Sequence, residues 1–597
     1  MAIESNQNQE QPQAQRPGKV ARFLRRAVFY TVCLLTLVGA FYAIENWRGQ
    51  RRWDRVRKEL EAKGAHLDWA SFIPEKISDE QNIFKAPHMQ EWFVKGEDNS
   101  GSLSQRLSKK MAELTRHKFG NQEWFLVAQL TVATPGSGAG SDGSPAVLKM
   151  NDANMRQRLE KVLREAIGPS LEGAQNIPLM ARALDEIKPV DLVLETESPP
   201  TLEEITALLP KTPPLTPGST WKATKTDGPS FRLLISLRDS WCTADDYLAW
   251  SQQFEPDFEV IRNALKRPYA RMDGDYEVPF AVPIQNFVAV RTVAQTIAQR
   301  AQCHLLVGRP EAAVSDLILL RDLCRMLEAQ PAGKPMTLVA AMINVAIGGL
   351  YVAIVKEGCS IGHFNESQLA IVQKETSKID LIPLIVSAFE GKRAGVGHLL
   401  LITKPADQEK VFDLFNSGKT WWERNSNPTR LMLLKAPRGW VLQNQATVAE
   451  LEQELIEGFD TTNYVVFPAK IDAAGRMAEH RLSHYSPYTF MASMVVPNFT
   501  KASLNLARNQ TLANQAVVAC GLERYRLAHG QYPESLDLLK PEIIKELPHD
   551  LVGGKPLQYR RNQNGGYLLY SIGWNQRDDG GKPSERTDEG DWVWTSD

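Results

Sequence analysis

TVAQTIAQRAQCHLLVGRPEAAVSDLILLRDLCRMLEAQP, residues Thr292 to Pro331, carries the clearest pattern in the chain. Val293, Ile297, Ala301 and Leu305 recur every four residues, the spacing that lines side chains along one helix face. Gly308 supplies a left-handed stop, and Pro310-Glu311 supplies the first-turn signals of a second helix. In that helix Ala313, Leu317, Leu320, Cys324 and Leu327 alternate in steps of four and three. Two apolar stripes joined by a short turn predict an antiparallel helix pair with buried facing sides.

The G-R-P-E-A-A turn resembles the turn inside a tetratricopeptide repeat. The 34-residue signature of that repeat is absent and no second good copy occurs, so a helical array over 284–500 is expected instead. Packing is its expected role, ahead of a peptide-binding groove. Met336 to Val355, MTLVAAMINVAIGGLYVAIV, is uncharged and long enough to span a membrane. Its Ala and Gly content, its Asn344 and its place after two amphipathic helices predict a central buried helix.

Toward the N-terminus, residues 1–18 are rich in Gln, Asn and Pro, and Arg22, Arg25 and Arg26 follow. A disordered basic tail is expected over 1–26, because so few large apolar groups cannot offset the entropy of ordering. AVFYTVCLLTLVGAFYAI, Ala27 to Ile44, is 18 residues without a charge, just enough to cross a hydrocarbon core. Tyr30, Tyr42 and Trp47 stand near its ends, where amphipathic rings prefer the interface. We expect an uncleaved signal anchor and a single membrane pass; Val38-Gly39-Ala40 keeps a cleaved signal peptide as the second reading, and a buried soluble helix is third because nothing polar marks an exposed face. GAFYAIE, Gly39 to Glu45, mimics a prepilin cleavage motif, but the following NWRGQRRW cannot enter a membrane, so the match is chance. Basic residues flank both ends of the span. Long C-terminal regions translocate largely regardless of charge, so the bulk is expected outside the cytoplasm.

Residues 45–283 read as a mixed α+β region. Gly, Ser and Pro mark loops near 134–145 and 199–219, Met155 to Ile167 is helical in pattern, and FRLLISL, Phe231 to Leu237, reads as a strand. The fold class expected for the chain is therefore α+β, mostly α.

A chain of 597 residues, 43% hydrophobic and 23% charged, is globular and long enough for several domains. A net charge of −1 offers no global field for nucleic acid, and no nucleic-acid partner is expected. The six cysteines include no C-x-x-C pair, which argues against a zinc ribbon or a thioredoxin-type site and leaves one or two disulfides open. SGKT, Ser417 to Thr420, lacks the upstream glycine of a phosphate loop, since Asp413 stands there. His480 and His484 have metal-ligand spacing, but Arg481 replaces the glutamate of a zinc peptidase and no third ligand is evident. Neither a nucleophile elbow nor a dinucleotide fingerprint occurs, so no catalytic residue is assigned.

At the C-terminus, NQTLANQAVVACGLERYRLAHGQYP reads as a helix ended by Gly530 and Pro533. PLQYRR and YLLYSI flank NQNGG as a hairpin, and GWNQRDDGGKPSERTDEGDWVW follows as an acidic, Gly-rich loop. LERYRLAHGQYP, GGKPLQYR, YLLYSIGWNQRDDGG and Asp591-Trp592 occur in the order found in the major pseudopilin of type II secretion systems, which about the last 90 residues resemble. The resemblance implies a pseudopilin-like α+β module over 501–597 and a loop calcium site, for which Asp578, Asp579, Asp588 and Asp591 are the oxygen ligands. A pseudopilin's processed helix is continuous with this module, whereas here more than 450 residues intervene, so a fibre subunit is not expected. The middle and ending together also resemble large, uncharacterised bacterial membrane-anchored proteins, which implies no activity. The function expected is anchoring and interaction with a protein partner at the bacterial inner membrane. An accessory factor of a secretion or pilus apparatus is the first alternative, and an envelope hydrolase with an unrecognised site the second.

Overall fold

A computed structural model of the chain describes residues 19–94, 102–118, 244–334, 336–400, 436–484 and 486–596, with short strands between 125 and 238. Residues 1–18, the loops at 134–145 and 199–219, the stretch Met155 to Ile167 and the SGKT motif lie outside the described residues.

The hairpin of Thr292 to Pro331 forms as its periodicity requires. The chain is mostly helical, and its helices up to this hairpin are α1 (Lys19–Ala62), α2 (Met89–Phe93), α3 (Leu103–Lys118), α4 (Ala244–Ser251) and α5 (Glu255–Ala264). The hairpin itself is α6 (Phe287–Leu306) and α7 (Pro310–Leu323). Asn286 starts α6 by accepting a hydrogen bond from the Ala289 N–H at 3.1 Å. Gly308, at φ +70°, turns the chain where a side chain would be strained. Val293, Ile297, Ala301 and Leu305 are all buried, and α6 packs against α3 and α4 as well as α7. The hairpin is thus core, and the stripe along α6 is covered rather than open.

The next helices are α8 (Arg325–Glu328), α9 (Leu338–Ile361), α10 (Glu366–Thr376) and α11 (Ile382–Leu400). Beyond residue 435 come α12 (Arg438–Ile456), α13 (Pro468–Leu482), α14 (Phe490–Val495) and α15 (Thr500–His529). Helix α9, uncharged as far as Val355, is enclosed by α6, α11 and α15. Its most apolar stretch is 56% buried, against 0% for that of α1, so the two hydrophobic runs of the sequence have opposite environments.

Strands are few. Phe231–Arg238 pairs antiparallel with Val190–Thr196, from Val190 opposite Leu237 to Thr196 opposite Phe231, in a four-stranded sheet. Near the C-terminus, Gln558–Arg561, Tyr567–Ser571 and Trp592–Thr595 form a three-stranded antiparallel sheet with Tyr567–Ser571 in the middle. Its Tyr567, Leu569 and Trp594 join Ala516, Val518 and Cys520 of α15 in one core cluster that also holds the hairpin and α9. One hydrophobic core therefore crosses residue 500, where the sequence pattern marks a boundary, because α15 buries its other sides on α9 and α10.

Helix α1 begins at Lys19, ahead of the expected start at Ala27, and runs unbroken to Ala62. Its first half is bare: Phe23, Phe29, Leu34, Leu37 and Ile44 are all exposed. Its second half is docked, with Trp53, Val56 and Leu60 packed on Leu442, Ala446 and Ala449 of α12. The crossing point is Gly49 against Gly439, where a Cβ on either residue would strike the partner backbone. Glycine here is a packing requirement. Gly439→Ala is expected to destabilise the protein by about 1–3 kcal/mol, seen as a lower urea midpoint in detergent. Gly39→Ala, with open space around it, should leave the midpoint unchanged. Equal midpoints for both variants would show that the contact does not hold the helix.

Candidate functional site

The acidic loop is built from its two ends. Gly573, at φ +67°, leaves the central strand in contact with the Gly590 carbonyl, so a side chain there would open the loop. Trp574 is buried and donates its indole N–H to Asp472 of α13 at 3.3 Å. Asp591 closes the loop from the other end. Its carboxylate accepts the Asp579 N–H at 3.3 Å and the Gly581 N–H at 2.6 Å, while its own N–H donates to the Lys582 carbonyl at 3.0 Å. Burial pushes the Asp591 carboxyl up, with the nearby Asp579 charge adding to it, against the pull of those N–H donors.

Three of the four residues expected as calcium ligands share this loop end. Asp578 accepts the Gly580 N–H at 2.9 Å and the Tyr570 hydroxyl at 3.1 Å, and Asp579 accepts the Asn575 side-chain amide at 3.0 Å. Asp588 is directed elsewhere: Arg586 holds it in a bidentate pair at 2.7 and 3.2 Å and keeps its carboxyl below the usual range. Among the described residues, no group of three or more His, Cys, Asp or Glu side chains converges on a point that could hold a metal ion. His480 and His484 stand 6.5 Å apart, ring to ring, on an exposed face.

A second polar assembly was hidden in the sequence. Asp316 of α7 lies 3.2 Å from the Arg300 guanidinium and 3.5 Å from that of Arg262, with the His304 Nε2 at 3.7 Å. Glu255 joins both arginines, at 2.6 Å from Arg262 and in direct contact with Arg300, and Arg300 also lies over the Phe258 ring at 5.2 Å. The signal was present but quiet. Asp316 falls three after Ala313 and four before Leu320, and Arg300 falls three after Ile297, so both sit within apolar stripes.

Burial pushes the Asp316 carboxyl up to about 7, even against the two guanidinium groups. Burial, then the charges of Arg300 and Arg309, holds the His304 imidazole down to about 4. An acid near neutrality beside an imidazole can move protons, and such pairs mark catalytic centres. Here the groups are sealed: Asp316, Arg300 and His304 expose 1%, 7% and 8% of their surfaces. The cluster ties α5, α6 and α7 together, with Glu255 and Arg262 at its partly exposed edge.

No family model matches the chain, and comparison with curated proteins and with solved structures returns no match.

The two shifts act on stability with opposite signs. Between pH 4 and 7 folding takes up a proton at Asp316, so that contribution falls as pH rises. Between pH 4 and 6.5 folding releases a proton from His304, so that contribution rises with pH. Relative to wild type, His304→Leu should lose stability as pH climbs from 4 to 6.5, and Asp316→Asn should gain it. Each slope is bounded by one proton, about 1.4 kcal/mol per pH unit. Urea denaturation across that range checks both, and parallel curves for all three proteins would remove this account of the cluster.

Proposed function

We propose that this chain is a single-pass protein of the bacterial inner membrane whose body lies outside the cytoplasm and works by interaction or scaffolding rather than catalysis. One observation carries the reading: α1 is apolar and mostly bare over Ala27 to Ile44, then docked on the body from Glu45 onward. A helix that needed only to stabilise the body would not expose its most hydrophobic residues, and a bilayer is the solvent that removes that cost. The extracytoplasmic placement rests on the length of the chain beyond α1, since long C-terminal regions translocate largely regardless of flanking charge.

An accessory role in a secretion or pilus-like system is favoured by one further feature. The long helix α15, the central hairpin, the acidic loop and the closing Asp591-Trp592 strand stand in the order that the pseudopilin resemblance implies. Calcium enters the proposal through that resemblance alone, which implies Asp578, Asp579, Asp588 and Asp591 as ligands, of which Asp588 is held apart by Arg586. A calcium-dependent rise in Tm that Asp579→Asn abolishes would support it, and no rise in the wild type removes calcium from the reading.

The anchor is tested by alkaline carbonate extraction of bacterial membranes together with a reporter active only outside the cytoplasm, fused after Asp597. Retention in the pellet and an active reporter are expected. Release by carbonate removes the anchor, and an inactive fusion with the protein present reverses the topology.

A further inference from the structure

We infer that the turn joining α13 to α14, Ser486 to Phe490, forms with Trp440 a foot that rests in the headgroup layer of the bilayer entered by α1. The inference rests on the membrane-anchor reading of α1 and adds a second contact to it.

The height of this turn is set by how α1 and α12 pair. Trp440 Nε1 donates to Glu45 at 2.9 Å, and the Gly439 N–H donates to Asn46 at 2.8 Å. Further along, Arg52 meets Glu450 at 3.1 Å and Lys63 meets Glu457 at 2.7 Å. The residue numbers rise together, so the helices run parallel and α12 starts level with the end of the apolar run. Tyr488 packs edge-on against Trp440 at 6.2 Å, and Arg48 lies over the Tyr488 ring at 5.8 Å. Arg48 is four residues past Ile44, which is about 6 Å at the helical rise. The polar layer on each side of a hydrocarbon core is about 5–7 Å deep. Tyr488 and Trp440 therefore lie within it.

The chemistry of the turn suits that layer. Tyr42 and Trp47 are exposed on α1, and Trp440, Tyr488 and Phe490 are half-buried beside it, so the aromatic girdle begun by the anchor continues onto the body. Phe41 and Trp440 join the two parts edge-on at 6.0 Å. Exposed backbone N–H groups are costly where water is scarce, and here they are satisfied within the turn. The Thr489 and Phe490 N–H groups donate to the Ser486 carbonyl at 3.1 and 2.8 Å, and that of Tyr488 donates to the Ser486 hydroxyl at 3.2 Å. Pro487 has no N–H, and its carbonyl accepts the Asn444 amide at 2.7 Å. Glu45, the first charge after the span, is buried, paired with Arg48 at 2.8 Å, and accepts the Trp440 indole N–H.

Spin labels on the full chain in nanodiscs of phosphatidylcholine and phosphatidylglycerol test the foot. Three variants, Thr489→Cys, Leu35→Cys and Leu538→Cys, are made with Cys33 and Cys242 replaced by alanine. Collision with oxygen, which partitions into lipid, is compared with collision with a water-soluble nickel chelate. Labels at 489 and 35 should favour oxygen and the label at 538 should favour nickel. If 35 favours oxygen while 489 matches 538, the foot is overturned and the anchor stands. If 35 favours nickel, the anchor reading fails and takes the foot with it. The unaltered protein supplies a second measurement. A photoactivatable phospholipid should crosslink to the peptide containing Ser486 to Phe490 and leave the C-terminal sheet unlabelled; crosslinking confined to α1 would overturn the foot.

Discussion

Everything on the N-terminal side of this protein depends on a backbone contact between two glycines. Gly49 and Gly439 let α1 and α12 approach until neither has room for a Cβ, and Trp53, Val56 and Leu60 can then reach Leu442, Ala446 and Ala449. The contact has a mechanical result. Helix α1 is 44 residues long without a break, a rod of about 66 Å at the helical rise, and its docked half cannot swivel against the body. Whatever holds the bare half also sets the orientation of the whole body. A flexible linker after the apolar run would have left that orientation free.

Most of the buried apolar residues described fall in one core cluster, into which charged and amide groups have been admitted, many of them with partners. Asn444 of α12 is fully buried and uses both ends of its amide, donating to the Trp440 and Pro487 carbonyls and accepting from the Ala492 N–H. Glu452 on the same helix is buried against Lys392 of α11. Breaking such pairs by removing one partner is costly, because the survivor keeps its desolvation penalty. These groups add less net stability than apolar residues would, but they accept few alternative arrangements. Asn344 of α9 departs from this pattern: its buried amide has no partner among the described residues and lines a cavity of about 10 Å³, the size of one water.

Much of the helical framework was legible. The stripe of Val293, Ile297, Ala301 and Leu305, the stop at Gly308 and the restart at Pro310 follow from the helical period and from backbone sterics, both local properties. Strand Phe231–Arg238 was legible as a β-rich run. The polar sites were legible only as residue types. Asp578, Asp579, Asp588 and Asp591 look alike on paper, yet Asp591 is buried on two backbone N–H groups while Asp588 faces Arg586. Asp316 and Arg300 read as interruptions of two apolar stripes, and only the packing of α5 over α6 and α7 joins them into a network.

The sequence by itself determined that the chain is mostly helical, that an uncharged run lies at Ala27 to Ile44, and which faces of its central helices are apolar. Those properties are written within a few residues of one another, where covalent geometry transmits them. Tertiary structure alone decided that one core cluster runs across residue 500, where the pattern marks a boundary. It also joined the end of the uncharged run to a helix 393 positions away, and gave like carboxylates unlike surroundings. The reason is that burial and pKa depend on which faces meet, and a chain can bring the same face against many others until long-range closure selects one.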